Sequence, residues 1–168
     1  MRIFYGATEA SGEVLHETGP DPALELIIQC RAPHFLAFSE NSAHMQQLVP
    51  ALGLSKMYGA SGPRRFPLYI DTPLFEDATF RVVFADGIRL AQRPDDLEIK
   101  NRFGSYAASF RQTSANRIEI RRRFQVPVQV VRPENFAEFR RFALRIDETE
   151  RQRLGIERSF SPPALASR

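Results

Sequence analysis

Arg117-Ile118-Glu119-Ile120-Arg121-Arg122-Arg123-Phe124-Gln125-Val126 is the stretch whose reading decides the fold. Ile118, Ile120, Phe124 and Val126 alternate with Arg117, Glu119, Arg121, Arg123 and Gln125, the two-residue period of a strand with one buried face. Arg122 breaks the pattern, because strict alternation places it on the apolar side between Ile120 and Phe124. An unpaired buried guanidinium is very costly. Either a bulge turns it outward, or a carboxylate meets it at a rim of the sheet. Rim pairing, a structural role, is the expectation.

Upstream, Tyr106, Ala108 and Phe110 alternate with Ser105, Ala107, Ser109 and Arg111, and the turn from Gln112 to Asn116 joins the two runs as a hairpin. Phe80, Val82 and Phe84 form one face of an earlier run. It is closed by Asp86-Gly87, where glycine accepts the positive φ that such turns demand. Leu97 and Ile99 follow the break at Arg93-Pro94-Asp95-Asp96, and Phe66, Leu68 and Ile70 precede Asp71-Thr72-Pro73. Nearer the start, Leu24, Leu26, Ile28 and Cys30 alternate with Glu25 and Gln29, which predicts a half-buried strand over Ala23–Cys30. A shorter extended stretch around Glu13–Glu17 precedes it, and a third strand is expected over His34–Ser39. From Asn41 to Pro63 the pattern is irregular, with room for one helical turn, because Pro50 interrupts the helical spacing of Met45, Leu48, Val49 and Leu52.

Downstream of Val130-Val131-Arg132 the period changes to that of a helix. Phe136, Phe139, Phe142, Ala143 and Ile146 recur at intervals of three and four, and Pro133 suits the first turn. Glu134 and Glu138 lie early and Arg140, Arg141 and Arg145 later, so the charges complement the helix dipole. Leu154–Phe160 reads as an edge strand. The fold expected is all-β: an antiparallel sandwich of about 7–9 strands with one C-terminal amphipathic helix, about 133–150, packed on it. Residues 1–160 form one domain in this reading, and 161–168 a tail or linker.

Composition agrees with a globular chain. The 168 residues are 43% hydrophobic and 26% charged, with 14 Phe and no Trp. No run approaches the roughly 18 apolar residues of a membrane helix, so membrane insertion is not expected, and the opening residues carry no export signal. The net charge of +3 divides unevenly: residues 1–84 hold 6 basic and 9 acidic side chains, and 85–168 hold 17 and 11. Binding to nucleic acid calls for a basic stripe with aromatic rings free to stack. The one dense run, Arg121-Arg122-Arg123, lies inside a strand pattern, and nucleic acid is not an expected partner. Cys30 is the only cysteine, which rules out a disulfide within the chain.

Little chemistry is legible. Cys30, His34 and either Asp21 or Glu40 could be assembled into a nucleophile, base and orienting acid, yet alternation places Cys30 on the apolar side, where thiols are inert. His16, His34 and His44 lack metal-ligand spacing. No phosphate loop or nucleophile elbow occurs, and Asp95-Asp96 reads as a solvated turn. No catalytic residue, metal or cofactor is expected.

Three segments in order carry a resemblance: Pro63-Arg64-Arg65-Phe66-Pro67-Leu68-Tyr69-Ile70-Asp71-Thr72-Pro73, then Asn101-Arg102-Phe103-Gly104-Ser105-Tyr106, then Arg132-Pro133-Glu134-Asn135-Phe136-Ala137-Glu138-Phe139-Arg140-Arg141-Phe142. Together they resemble, from about Leu24 to Ile156, the C-terminal β-domain of unknown function that follows the core in bacterial transglutaminase-like proteins. The resemblance implies a Cys-His-Asp core elsewhere and gives Cys30 no role. It implies a periplasmic, envelope-associated or secreted setting, and an accessory domain that packs on the core or presents ligands to it. Arg64, Arg65, Tyr58 and Tyr69 are the candidate partner-binding residues. A self-sufficient carbohydrate- or peptide-binding sandwich is the alternative, marked by open rings such as Tyr58, Tyr69 or Phe75 along a groove. A cysteine-dependent enzyme using Cys30 or His34 is the third reading, which a buried Cys30 would refute.

Overall fold

The structure, a computed structural model, describes residues 8–16, 24–45, 51–58 and 62–158, apart from the side chains at 15–16 and 24–26. The chain divides into two compact units, Met1–Ser39 and Glu40–Arg168. In the first unit, β1 (Glu9–His16) and β2 (Leu24–Arg31) form an antiparallel ribbon in continuous register from Glu9 opposite Arg31 to His16 opposite Leu24. The expected half-buried face is not there: Ile27 and Ile28 are both 40% exposed, and Cys30 is exposed. A ribbon of two strands has no second layer of its own against which to bury a face. The strand expected over 34–39 is also absent, since residues 32–38 form a turn and irregular chain.

The second unit opens with β3 (Ser42–Met45), inside the stretch read as irregular, and the single-turn helix α1 (Leu54–Tyr58). β4 (Leu68–Ile70), β5 (Leu74–Val83), β6 (Ile88–Gln92), β7 (Leu97–Asn101), β8 (Gly104–Ser114), β9 (Arg117–Val126) and β10 (Gln129–Val131) follow. A 3-10 turn at Pro133–Asn135 leads into α2 (Phe136–Glu150), and β11 (Leu154–Arg158) is the last element described. The fold is the expected all-β type with one late helix. Its described strands number eleven rather than seven to nine, because β3, β6 and β10, of three to five residues, are too short to show a period. The tail expected over 161–168 lies outside the described residues. No described helix is long and apolar enough to cross a membrane.

Three antiparallel sheets build this unit, in the orders β5-β9-β8-β7, β3-β11-β6 and β10-β4. β11 was expected at an edge but is central, paired with β3 on one side and β6 on the other. Its burial agrees, for Leu154 and Ile156 are 2% and 1% exposed. The β8–β9 hairpin forms as read, and β9 buries every second residue from Ile118 to Val126. At Asp86-Gly87 the amide of Ile88 donates to the Ala85 carbonyl, and Gly87 takes φ 76°. That turn carries the chain from one sheet to the next.

The helix docks as its periodicity predicts. Phe136, Phe139, Phe142, Ala143 and Ile146 are at most 4% exposed. They share a core with Ile99, Tyr106, Ala108, Phe124 and Val126 of the four-stranded sheet and with Leu68, Ile70 and Val131 of β4 and β10. Gly104 lets two backbones approach closely, since a Cβ there would stand 2.3 Å from the Gln125 carbonyl oxygen. That contact accounts for glycine between Phe103 and Ser105.

Candidate functional site

The four candidate partner-binding residues take two different surroundings. Tyr58 ends α1 half-buried, its ring edge-on to Phe139 at 6.2 Å. Arg64, also half-buried, holds its guanidinium 5.1 Å above the Phe136 ring, a cation–π contact. Phe136 and Phe139 stack at 6.3 Å, so Tyr58 and Arg64 lean on one phenylalanine row. Both are largely engaged within the domain. Arg65 is exposed. Tyr69 is 68% exposed, because Leu68 and Ile70 on either side of it turn inward. Directly opposite stands Val130 of β10, 54% exposed. Phe66 and Val128, just outside these strands, are 77% and 59% exposed. Sequence parity had placed Phe66 on the buried side with Leu68 and Ile70, but β4 begins only at Leu68.

Arg122 lies on the inner face of β9 with no bulge, opposite Ala78 of β5 and Ala108 of β8. Its side chain is 4% exposed. Its Nη1 donates to Glu150 Oε2 at 2.7 Å, and its Nε donates to Glu76 Oε1 at 2.9 Å, with a further bond from Nη2 to the same oxygen. Tyr106 completes the cluster, its hydroxyl donating to Glu150 Oε1 at 2.5 Å. Burial, and then the bond to Glu150, push the Tyr106 hydroxyl well above the ordinary tyrosine range. The pairing expectation therefore holds, but the partners converge in the interior as well as at the rim: Glu150 is 5% exposed and Glu76 35%. Two signals pointed to those partners. Glu76 has the inward parity of β5, and Glu150 continues the buried stripe one turn beyond Ile146. A cavity of about 50 Å³ beside Tyr106, Arg122 and Glu150 is far below the roughly 300–1,000 Å³ of a small-molecule site.

Asp147, 4% exposed, is a second inward acid on α2. Its Oδ1 accepts from the Leu54 amide at 3.0 Å and its Oδ2 from the Ser55 amide at 3.0 Å, and the Ser55 hydroxyl donates to it as well. These bonds satisfy N-terminal amides of α1 from a distant element. They also correct the expected dipole arrangement. No basic side chain lies in the last turn of α2, because the helix runs past Arg145 to Glu150, and Asp147 and Glu150 there have inward partners instead.

The outer face of the four-stranded sheet is a lattice of ion pairs. Arg121 grips Asp77 through two bonds, at 3.1 and 2.8 Å, and Arg123 adds a third at 3.0 Å. The Arg121 hydrogen bond, above all, holds the Asp77 carboxyl below the ordinary aspartate value. Arg81 and Arg111 clasp Glu119 in the same way, at 3.1 and 2.8 Å, and the Arg81 bond lowers its carboxyl most. A shallow trough of about 440 Å³ between Arg121, Arg123, Glu98 and Leu97, floored by Ala107 and Ser109, is lined by no aromatic ring. Tyr69 and Phe75 are open, but neither lines it.

The exposure of Cys30 overturns the expectation that its thiol is walled off. Exposed His34 makes no hydrogen bond with it among the described residues. His44 points outward on β3, between buried Ala43 and Met45. No group of three or more metal-ligating side chains gathers among the described residues.

Antiparallel sheets closed by a phenylalanine-faced helix define an all-β domain with one late helix. Residues 46–156 match the profile of a domain of unknown function with a solved structure (DUF3858), and the chain belongs to that family. No curated protein sequence matches. Among solved structures, the chain is similar to a candidate protease from Parabacteroides distasonis, with a TM-score of 0.56 and 18% identity over 70% of this chain. The similarity is one of fold, and the chain spans 24% of that protein's length.

Proposed function

We propose that this domain is a non-catalytic accessory domain that packs on an adjacent transglutaminase-like domain through the outer face of β4 and β10. The observation that carries this reading is the open pair of Tyr69 and Val130, directly opposite each other across β4 and β10 and both more than half exposed, with Phe66 and Val128 also open just outside the strands and Arg65 exposed. Exposed apolar side chains that sit together mark interfaces, and tyrosine and arginine are enriched among the decisive side chains in them. The similar solved structure is about four times longer than the part it shares with this chain, which fits a domain that works beside others. The ionisable groups drawn together inside, Arg122, Glu150, Tyr106 and Asp147, serve the fold.

The 168-residue chain is to be titrated calorimetrically with the transglutaminase-like domain encoded in its reading frame. Micromolar binding is expected, weakened about tenfold by Tyr69→Asp with Tm unchanged. A reading frame with no such domain, or binding indifferent to Tyr69→Asp, overturns the proposal.

A further inference from the structure

β5 is the long edge of the second unit. It runs ten residues, from Leu74 to Val83, pairs with β9 along its whole length without a register shift, and has no described strand on its other side. The other edge strands of this unit, β3, β4, β6, β7 and β10, have three to five residues. Proteins blunt long edges with proline, bulges, brevity or charge, since unpaired amides and carbonyls recruit another strand. β5 has no proline, bulge or brevity, and its charges, Glu76, Asp77 and Arg81, are of both signs. Its inward residues, Leu74, Glu76, Ala78, Phe80 and Val82, are partly exposed, while their neighbours on β9 are 1–4% exposed. A further strand beside β5 would complete that cover.

The outward row of β5 indicates which strand fits. It reads Phe75, Asp77, Thr79, Arg81, Val83. Turned end for end about Thr79, the row is complementary to itself. In an antiparallel pair centred there, Phe75 faces the partner's Val83, Asp77 faces the partner's Arg81 and Thr79 faces the partner's Thr79. The reciprocal contacts repeat on the other side of the two-fold axis, the isologous arrangement of a dimer. Phe75 and Val83 are 74% and 62% exposed, and the Arg81 side chain is 78% exposed. Directly opposed apolar, hydroxyl and opposite-charge pairs are the contacts that stabilise antiparallel strands.

We infer that this edge pairs with a second copy of the chain, joining two four-stranded sheets into one continuous sheet across a two-fold axis at Thr79. This surface differs from the β4–β10 face, and the two fail or succeed separately. Light scattering on the 168-residue chain, from micromolar to near-millimolar concentration, is expected to show the mass rising from 19.2 kDa toward twice that value. Arg81→Glu and Asp77→Arg each set like charges against each other twice per dimer, and each weakens association about tenfold. Mixing the two variants restores it, because both contacts then join opposite charges. Asp77 also braces Arg121 and Arg123, so circular dichroism must show each variant folded. Thr79→Cys with Cys30→Ser supplies a second measurement. Under copper–phenanthroline oxidation it should cross-link into dimers well ahead of Asp77→Cys with Cys30→Ser, because only position 79 faces itself. Three results each overturn the inference: a mass fixed at that of one chain, a dimer unmoved by the charge reversals, or a dimer dissolved by Tyr69→Asp instead.

Discussion

Removing the Arg122 guanidinium leaves the Glu150 carboxylate, 5% exposed, with the Tyr106 hydroxyl as its remaining side-chain bond among the described residues. Breaking one side of a buried pair costs far more than the pair itself contributes. Arg122→Ala is therefore expected to lose about 3–5 kcal/mol in urea denaturation, and Arg122→Met combined with Glu150→Gln to recover part of that loss. A single variant as stable as the parent would show that the cluster opens to water. Sequence parity already placed Arg122 inward. Parity and helical spacing mark Glu76 and Glu150 as inward, but their pairing with Arg122 is not written in the sequence, because they lie 46 and 28 residues away along the chain.

Among the elements, α1 depends most on another. Five residues are too few to hold a helix unaided, and the amides of Leu54 and Ser55 bond to Asp147 of α2. Asp147→Ala is expected to cost about 1–2 kcal/mol, as the loss of a helix cap does, and to speed amide hydrogen exchange at Leu54 and Ser55 while exchange in β9 stays slow. Loss of protection throughout the unit would instead give Asp147 a wider role. Strong, long periods made α2 and the β8–β9 hairpin plain from sequence. β3 and β11 were misread, one missed and one set at an edge, since pairing order is a long-range property that a five-residue run does not carry.

For the molecule as a whole, Tyr106 ties stability to alkaline pH. Its folded value lies above the ordinary 10.0, through burial first and the Glu150 bond second, so the folded state holds the proton more tightly than the unfolded chain. The stabilisation is complete below pH about 10 and is lost as the pH rises toward the folded value. Tyrosinate absorbance and circular dichroism, followed together, are expected to show one tyrosine ionising only as the fold is lost, and Tyr106→Phe to remove that step. Asp77 acts with the opposite sign: its lowered value stabilises the fold above the ordinary 3.8, and this contribution disappears as the pH falls through the folded value.

Alternation and helical spacing by themselves determined the all-β class, the late helix and its buried phenylalanines, and the inward position of Arg122. Each is a local consequence of which side chains leave water. The tertiary structure alone decided that Cys30 lies open, that β11 is central, that Asp147 caps a distant helix and that β5 is left as a long bare edge. Burial, capping and edge exposure depend on what a second, distant segment covers, and that segment is specified elsewhere in the chain.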